Sequence, residues 1–200
     1  MIIMLKRNIL LWMVFGMLLS CNQSKTKEEK QLNNADNNWK SQFDQKLPLL
    51  GHRNWIVIAD KAFPEQNAAG IEVINTNENL LPVLKYVLQQ VNSSGHVKPI
   101  VYQDKELQFI TESQAKGVTS FRIESEKLMK MGKTNLELQP QTILHDAVFT
   151  KLDEASKLFK IVVLKTNETI PYTSVFLQLD CSYWNAEKEK QLREKMKSQK

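Results

Sequence analysis

The stretch "NWIVIA" at positions 54–59 constrains the fold more than any other part of the chain. From Trp55 to Ala59 it holds no polar residue, and Ile56, Val57 and Ile58 are β-branched in succession. A strand with one wet face alternates apolar and polar side chains. An unbroken apolar run of this length needs cover on both faces. The chain therefore has to fold as a sheet with helices packed against it.

The rest of the sequence supplies both kinds of element in alternation. Trp39, Phe43, Leu47 and Leu50 recur at helical spacing, and Pro48 ends that helix near Lys46. "GIEVIN" reads as a second short strand. Residues 79–91 carry Leu80, Leu81, Leu84, Val87, Leu88 and Val91, an amphipathic helix with Pro82 in its first turn, where proline is tolerated. "KPIVYQ" predicts a third strand and "TSFRIE" a fourth. Residues 143–158 predict a helix with Val148, Leu152 and Ala155 inward. "FKIVVLKT" and "SVFLQLD" predict two late strands. Strands alternating with helices define the class: α/β, a single layered domain with a mostly buried sheet flanked by helices.

The two ends read differently. Residues 1–8 carry two positive charges, and 9–19 form the apolar run "ILLWMVFGMLL". A membrane-spanning helix needs about 20 residues, so this is the pattern of a signal peptide. It closes in "LLSC", which resembles the bacterial lipoprotein box and marks Cys21 for lipidation; an ordinary signal peptide or a buried helix is the alternative. The sequence thus divides into a lipoprotein signal peptide over 1–20, a flexible polar tether over 21–38, a domain over 39–184 and a charged C-terminal helix over 185–200. The location expected from this leader is the bacterial cell envelope, lipid-anchored at the periplasmic face or cell surface.

Charge excludes one class of partner. The net charge of +5 is concentrated in the leader and in the tail, where six basic residues face three acidic ones after residue 186. No basic stripe interleaved with aromatics is present, so no nucleic acid is expected as a partner. Motifs exclude others. No GxGxxG, GxxxxGK, GxSxG, CxxC or HExxH occurs, and His52, His96 and His145 lack metal-ligand spacing. Neither a cofactor nor a metal is expected. With Cys21 acylated, Cys181 has no partner for a disulfide and reads as a small core or edge residue.

What remains is "LGHRNWIVIADKAFP", then "GIEVI" and "LLPVLKYVL", and later the helix "HDAVFTKLDEASKLF", the strand "KIVVLKT" and the closing "PYTSVFL". In order and spacing this set resembles the D-ribose pyranase / L-fucose mutarotase (RbsD/FucU) family from about residue 47 to 179, here as a lipoprotein variant. The resemblance implies an RbsD-like fold and makes His52 the catalytic histidine, Asp60 a sugar-binding carboxylate and Tyr172 the C-terminal tyrosine. Ser174 stands where the family has asparagine. His145 lies near a second histidine or aromatic of the family's late helix. The implied partner is a monosaccharide, bound by a homo-oligomer with pockets at subunit contacts.

The residue types suit that chemistry. Mutarotation needs a base at the anomeric hydroxyl and an acid at the ring oxygen, and a histidine can serve either way near neutrality. Carboxylate and phenol groups hold sugar hydroxyls. Each residue also has a plainer reading: His52 as a loop histidine, Asp60 as a turn former, Tyr172 as a strand-edge aromatic. Eight residues separate His52 from Asp60. Fully extended, they stand roughly 25 Å apart, so either the strand is shorter or the pocket is shared between subunits. The expected function is a monosaccharide mutarotase-like lipoprotein, an isomerase of carbohydrate metabolism acting outside the cytoplasm. The alternative is a non-catalytic, lipid-anchored sugar-binding or assembly protein of the same fold.

Overall fold

The computed structural model describes residues 38–130 and 140–198. The chain divides between Gln42 and Phe43; the architecture below is that of the second unit. Helix α1, Trp39–Lys46, runs across that division and ends in a short 3-10 turn, Leu47–Leu49, with Pro48 in its first turn. Then come β1 (Trp55–Ala59), β2 (Ile71–Asn75), α2 (Leu80–Ser94) and β3 (Val97–Asp104). A 3-10 turn, Lys105–Phe109, leads to α3 (Val118–Lys130). Beyond it lie β4 (Gln141–Ile143), α4 (His145–Ser156), β5 (Ile161–Lys165), β6 (Val175–Cys181) and α5 (Ala186–Ser198).

The strands form one mixed sheet in the order β2-β5-β1-β6-β3-β4. β1 lies parallel to β5, β5 to β2 and β3 to β4, whereas β6 is antiparallel to both of its neighbours. Five strands therefore point the same way and deliver their carboxyl ends to one edge of the sheet. β6 alone begins there.

The two faces are covered by different helices. On one, Trp55, Val57, Ala59, Ile161, Val163 and Phe176 pack against Val148 and Leu152 of α4. Helix α2 covers the other face, burying Val83, Leu84, Val87, Leu88 and Val91 at helical spacing. All five residues of β1 are buried, which is why its run contains no polar residue. Helix α2 ends at Gly95, whose φ of 74° is the left-handed cap that glycine adopts without a Cβ penalty.

Two expectations are corrected. "TSFRIE" is not a strand but part of α3. Its buried residues Val118, Phe121, Ser125 and Met129 follow a helical period, and Ile123 is exposed. The helix is started from outside the segment: the carboxylate of Glu112 accepts the backbone N–H groups of Gly117 and Thr119, which an N-terminal turn leaves unpaired. The late helix begins at His145, and Ile143 belongs to the short edge strand β4. Residues 1–37, including Cys21, the signal peptide and nearly all of the proposed tether, lie outside the described residues.

Candidate functional site

The edge that collects the carboxyl ends of the strands carries a cavity of about 500 Å³. Asp60, Phe63, His145, Phe149, Tyr172 and Ser174 are among the residues that line it. Topology explains the meeting. Val175 of β6 pairs with Ile58 on one side and with Gln103 on the other. The preceding residue, Ser174, therefore falls between the ends of β1 and β3, beside Asp60 and Asp104. Open α/β sheets bind ligands at such an edge, outside the carboxyl ends of their strands.

Asp60 is held by its surroundings. Its Oδ1 accepts the N–H of Ala62 at 2.9 Å and its Oδ2 accepts the Ser174 hydroxyl at 3.1 Å. Its own N–H donates to Ser174 Oγ at 3.1 Å. The two loops bordering the cavity are tied together as well. The N–H of Lys61 donates to the Glu168 carbonyl at 2.8 Å, and the Lys165 ammonium donates to the Phe63 carbonyl at 2.8 Å. Glu168 closes its own loop by accepting the N–H groups of Thr169 and Ile170.

Tyr172 occupies the left-handed region with φ 60°. A bulky residue there stores local backbone strain, a feature that clusters at ligand sites. The turn is braced by the Thr173 hydroxyl, which donates to the Ile170 carbonyl at 2.7 Å. It sets the Tyr172 ring edge-on to His145, with centroids 5.2 Å apart. Phe149 lies one turn along α4 from His145 at 4.8 Å, and stacks in turn on Phe63 at 5.5 Å. The cavity wall is thus a run of four rings with one carboxylate beside it.

Sequence reasoning missed the group behind that wall. Asp104 ends β3 fully buried, and its Oδ2 lies 2.9 Å from His145 Nδ1. Burial pushes its carboxyl up to about 6; the hydrogen bond and charge of His145 oppose the rise, while Glu106 and Asp60 add to it. Glu106 accepts the backbone N–H of His145 with both oxygens at 3.2 Å, which fixes the start of α4. The available signal was slight: an acid at the end of an alternating strand, on the same face as Tyr102.

His52 lies elsewhere. It precedes β1, at the opposite edge of the sheet. Its Nδ1 meets Asp180 Oδ1 at 3.0 Å, and its Nε2 accepts from Arg53 Nε at 3.3 Å. Burial raises the Asp180 carboxyl, but the N–H of Cys181, Lys98 and His52 outweigh it and hold that carboxyl below the ordinary range. His52, Arg53, Trp55, Lys151, Glu154 and Phe159 border a second cavity, also of about 500 Å³. Within one chain the structure joins Asp60, His145, Tyr172 and Ser174 and leaves His52 apart, because the buried strand β1 separates the two sheet edges. No group of three or more histidine, cysteine, aspartate or glutamate side chains able to hold a metal occurs among the described residues.

No protein-family model matches the chain, and no curated protein does. Solved structures do. The chain is similar to Bacillus subtilis RbsD complexed with D-ribose, at 21% identity over 70% of this chain and 92% of that one, with a TM-score of 0.46. It is similar to FucU from Bifidobacterium longum at 16% identity, over 70% and 93% of the two chains, with a TM-score of 0.49. For the fucose mutarotase of Streptococcus pneumoniae in complex with L-fucose the values are 17%, 68%, 89% and 0.45. The fold itself is an α/β domain with a mixed sheet flanked by helices.

One expectation is overturned here. The lipid-anchored location in the cell envelope is withdrawn: the solved structures similar to this chain are named as RbsD, FucU and a fucose mutarotase, and none of those names carries a lipid anchor. No helix among the described residues is long and apolar enough to cross a membrane.

Proposed function

We propose that the protein is a mutarotase-like, anomer-interconverting protein that binds a monosaccharide in the cavity at the carboxyl edge of the sheet. The observation that carries this reading is the convergence of Asp60, His145, Tyr172 and Ser174, drawn from distant parts of the chain, on one cavity of about 500 Å³. That size suits a small ligand. Aromatic faces pack against the C–H surface of a sugar, while a carboxylate, a phenol and an imidazole hold its hydroxyls. His52 enters the chemistry from a neighbouring copy: the edge that bears it docks beside the cavity of the next subunit, and a homo-oligomer completes the site. The working unit is 39–184, with 185–200 as an accessory helix.

A second reading, a sugar-binding protein without catalysis, is favoured by a specific observation. The Ser174 hydroxyl is already engaged by Asp60, and both ring nitrogens of His52 are engaged within its own chain. Saturation-transfer NMR with D-ribose and L-fucose detects binding, and magnetisation transfer between their anomers detects turnover. Binding with exchange faster than buffer supports the mutarotase. Binding without it leaves the binding protein, and no binding by either sugar refutes both.

A further inference from the structure

We propose that Asp104 is a positioning residue: its carboxylate takes the Nδ1–H of His145 and leaves an unprotonated Nε2 as the proton acceptor of the cavity. The inference rests on the reading of that cavity as a sugar site, and it gives the cavity a proton acceptor of its own chain beside the His52 that a neighbouring copy supplies.

The ring of His145 is fixed on every side but one. Nδ1 is held by a carboxylate with no exposed surface. Phe149 and Tyr172 pack on the ring at 4.8 and 5.2 Å, and Glu106 pins the backbone N–H of the same residue. The side chain is nevertheless 37% exposed and lines the cavity, and the ring nitrogen that Asp104 does not hold is Nε2. An ionised carboxylate only accepts, which requires Nδ1 to carry the proton and Nε2 to keep its lone pair.

Asp104 is an expensive choice if packing were its whole purpose. Its Oδ1 is buried with no hydrogen-bond partner among the described residues, and an unmet buried acceptor is destabilising. The negative charges that face it, Glu106 and Asp60, raise the cost further; His145 is the group that lowers it. A carboxylate kept under those conditions orients the imidazole and stabilises the imidazolium formed when Nε2 takes a proton.

The step balances without a co-reactant. Nε2 takes the proton of the anomeric hydroxyl. The electron pair that the O–H bond leaves on the anomeric oxygen forms the second bond of a C1 carbonyl as the bond from C1 to the ring oxygen breaks, with its electron pair on that oxygen. The imidazolium returns the same proton to the ring oxygen. Both oxygens sit on one carbon, so a single nitrogen reaches both. Reclosure on the other face of the carbonyl gives the other anomer.

The test uses the whole protein with ¹⁵N-labelled histidine and the variant Asp104→Asn. In the ligand-free wild type at pH 8, the expected spectrum shows His145 protonated at Nδ1. Asp104→Asn should shift that tautomer, lower anomeric exchange of the responsive sugar by about 10²–10⁴-fold, change the sugar Kd far less, and move the acid limb of the pH profile. A wild-type His145 protonated at Nε2 overturns the proposal, as does a folded Asp104→Asn protein with unchanged exchange and an unchanged pH profile. Failure of the wild type to bind either sugar refutes the cavity reading instead, and the ligand-free tautomer then decides the Asp104–His145 arrangement by itself.

Discussion

Replacing Asp104 by asparagine should stabilise the protein at neutral pH while impairing its site. The carboxyl is fully buried and its ordinary value of 3.8 is pushed up to about 6, chiefly by burial. The folded state therefore binds this proton more tightly than the unfolded chain. The associated stability is complete below pH 3.8 and is lost as pH rises through about 6. A displacement of that size corresponds to roughly 3 kcal/mol. Asparagine has the same shape and no charge to desolvate, but it weakens the bond to His145 by about 1–2 kcal/mol. The net expectation is a variant about 1 kcal/mol more stable than wild type near pH 8 and about 1–2 kcal/mol less stable near pH 4. Urea unfolding of both proteins from pH 4 to 8 measures the difference directly. Parallel stability profiles would show that Asp104 does not carry a raised proton affinity, and the account of its burial would fail.

Gly70→Ala should be strongly destabilising, by about 3 kcal/mol or more. A Cβ there would lie 2.0 Å from the Ser156 carbonyl oxygen, a backbone atom at the end of α4; thermal unfolding reads the loss, and a variant within 1 kcal/mol of wild type would contradict this close approach. Ser174→Ala removes the acceptor of the Asp60 N–H and a donor to its carboxylate, so it should cost about 1–3 kcal/mol in denaturant unfolding and alter sugar affinity by calorimetry. His52→Ala should change stability by less than about 1 kcal/mol, since the side chain is mostly exposed and its ion pair with Asp180 lies at the surface. If a neighbouring copy brings His52 to the cavity, light scattering shows an oligomer and the variant binds sugar more weakly; a stable monomer with unchanged sugar affinity defeats the shared site.

Elements whose burial is written into local composition were legible without coordinates. β1 and β5 announce themselves as apolar runs, because strands covered on both faces exclude polar side chains, and β6 opens with one over Val175–Leu177 before Gln178 and Asp180 interrupt it. Helix α2 shows its buried face directly in its 3.6-residue period. Helix α3 did not, since Phe121 and Ile123 imitate the alternation of a strand. What makes it a helix is a carboxylate from Glu112, outside the segment. The site divides in the same way. Asp60, Tyr172, Ser174 and His145 could be singled out by residue type and motif order. Which of them meet was settled by strand order alone: β6 enters between β1 and β3 and brings Ser174 to Asp60, while the buried length of β1 carries His52 to the far edge. Asp104 became visible only when β3 placed its carboxylate against His145. A side chain's chemistry is local, but its proton affinity and its partners depend on what the sheet buries around it.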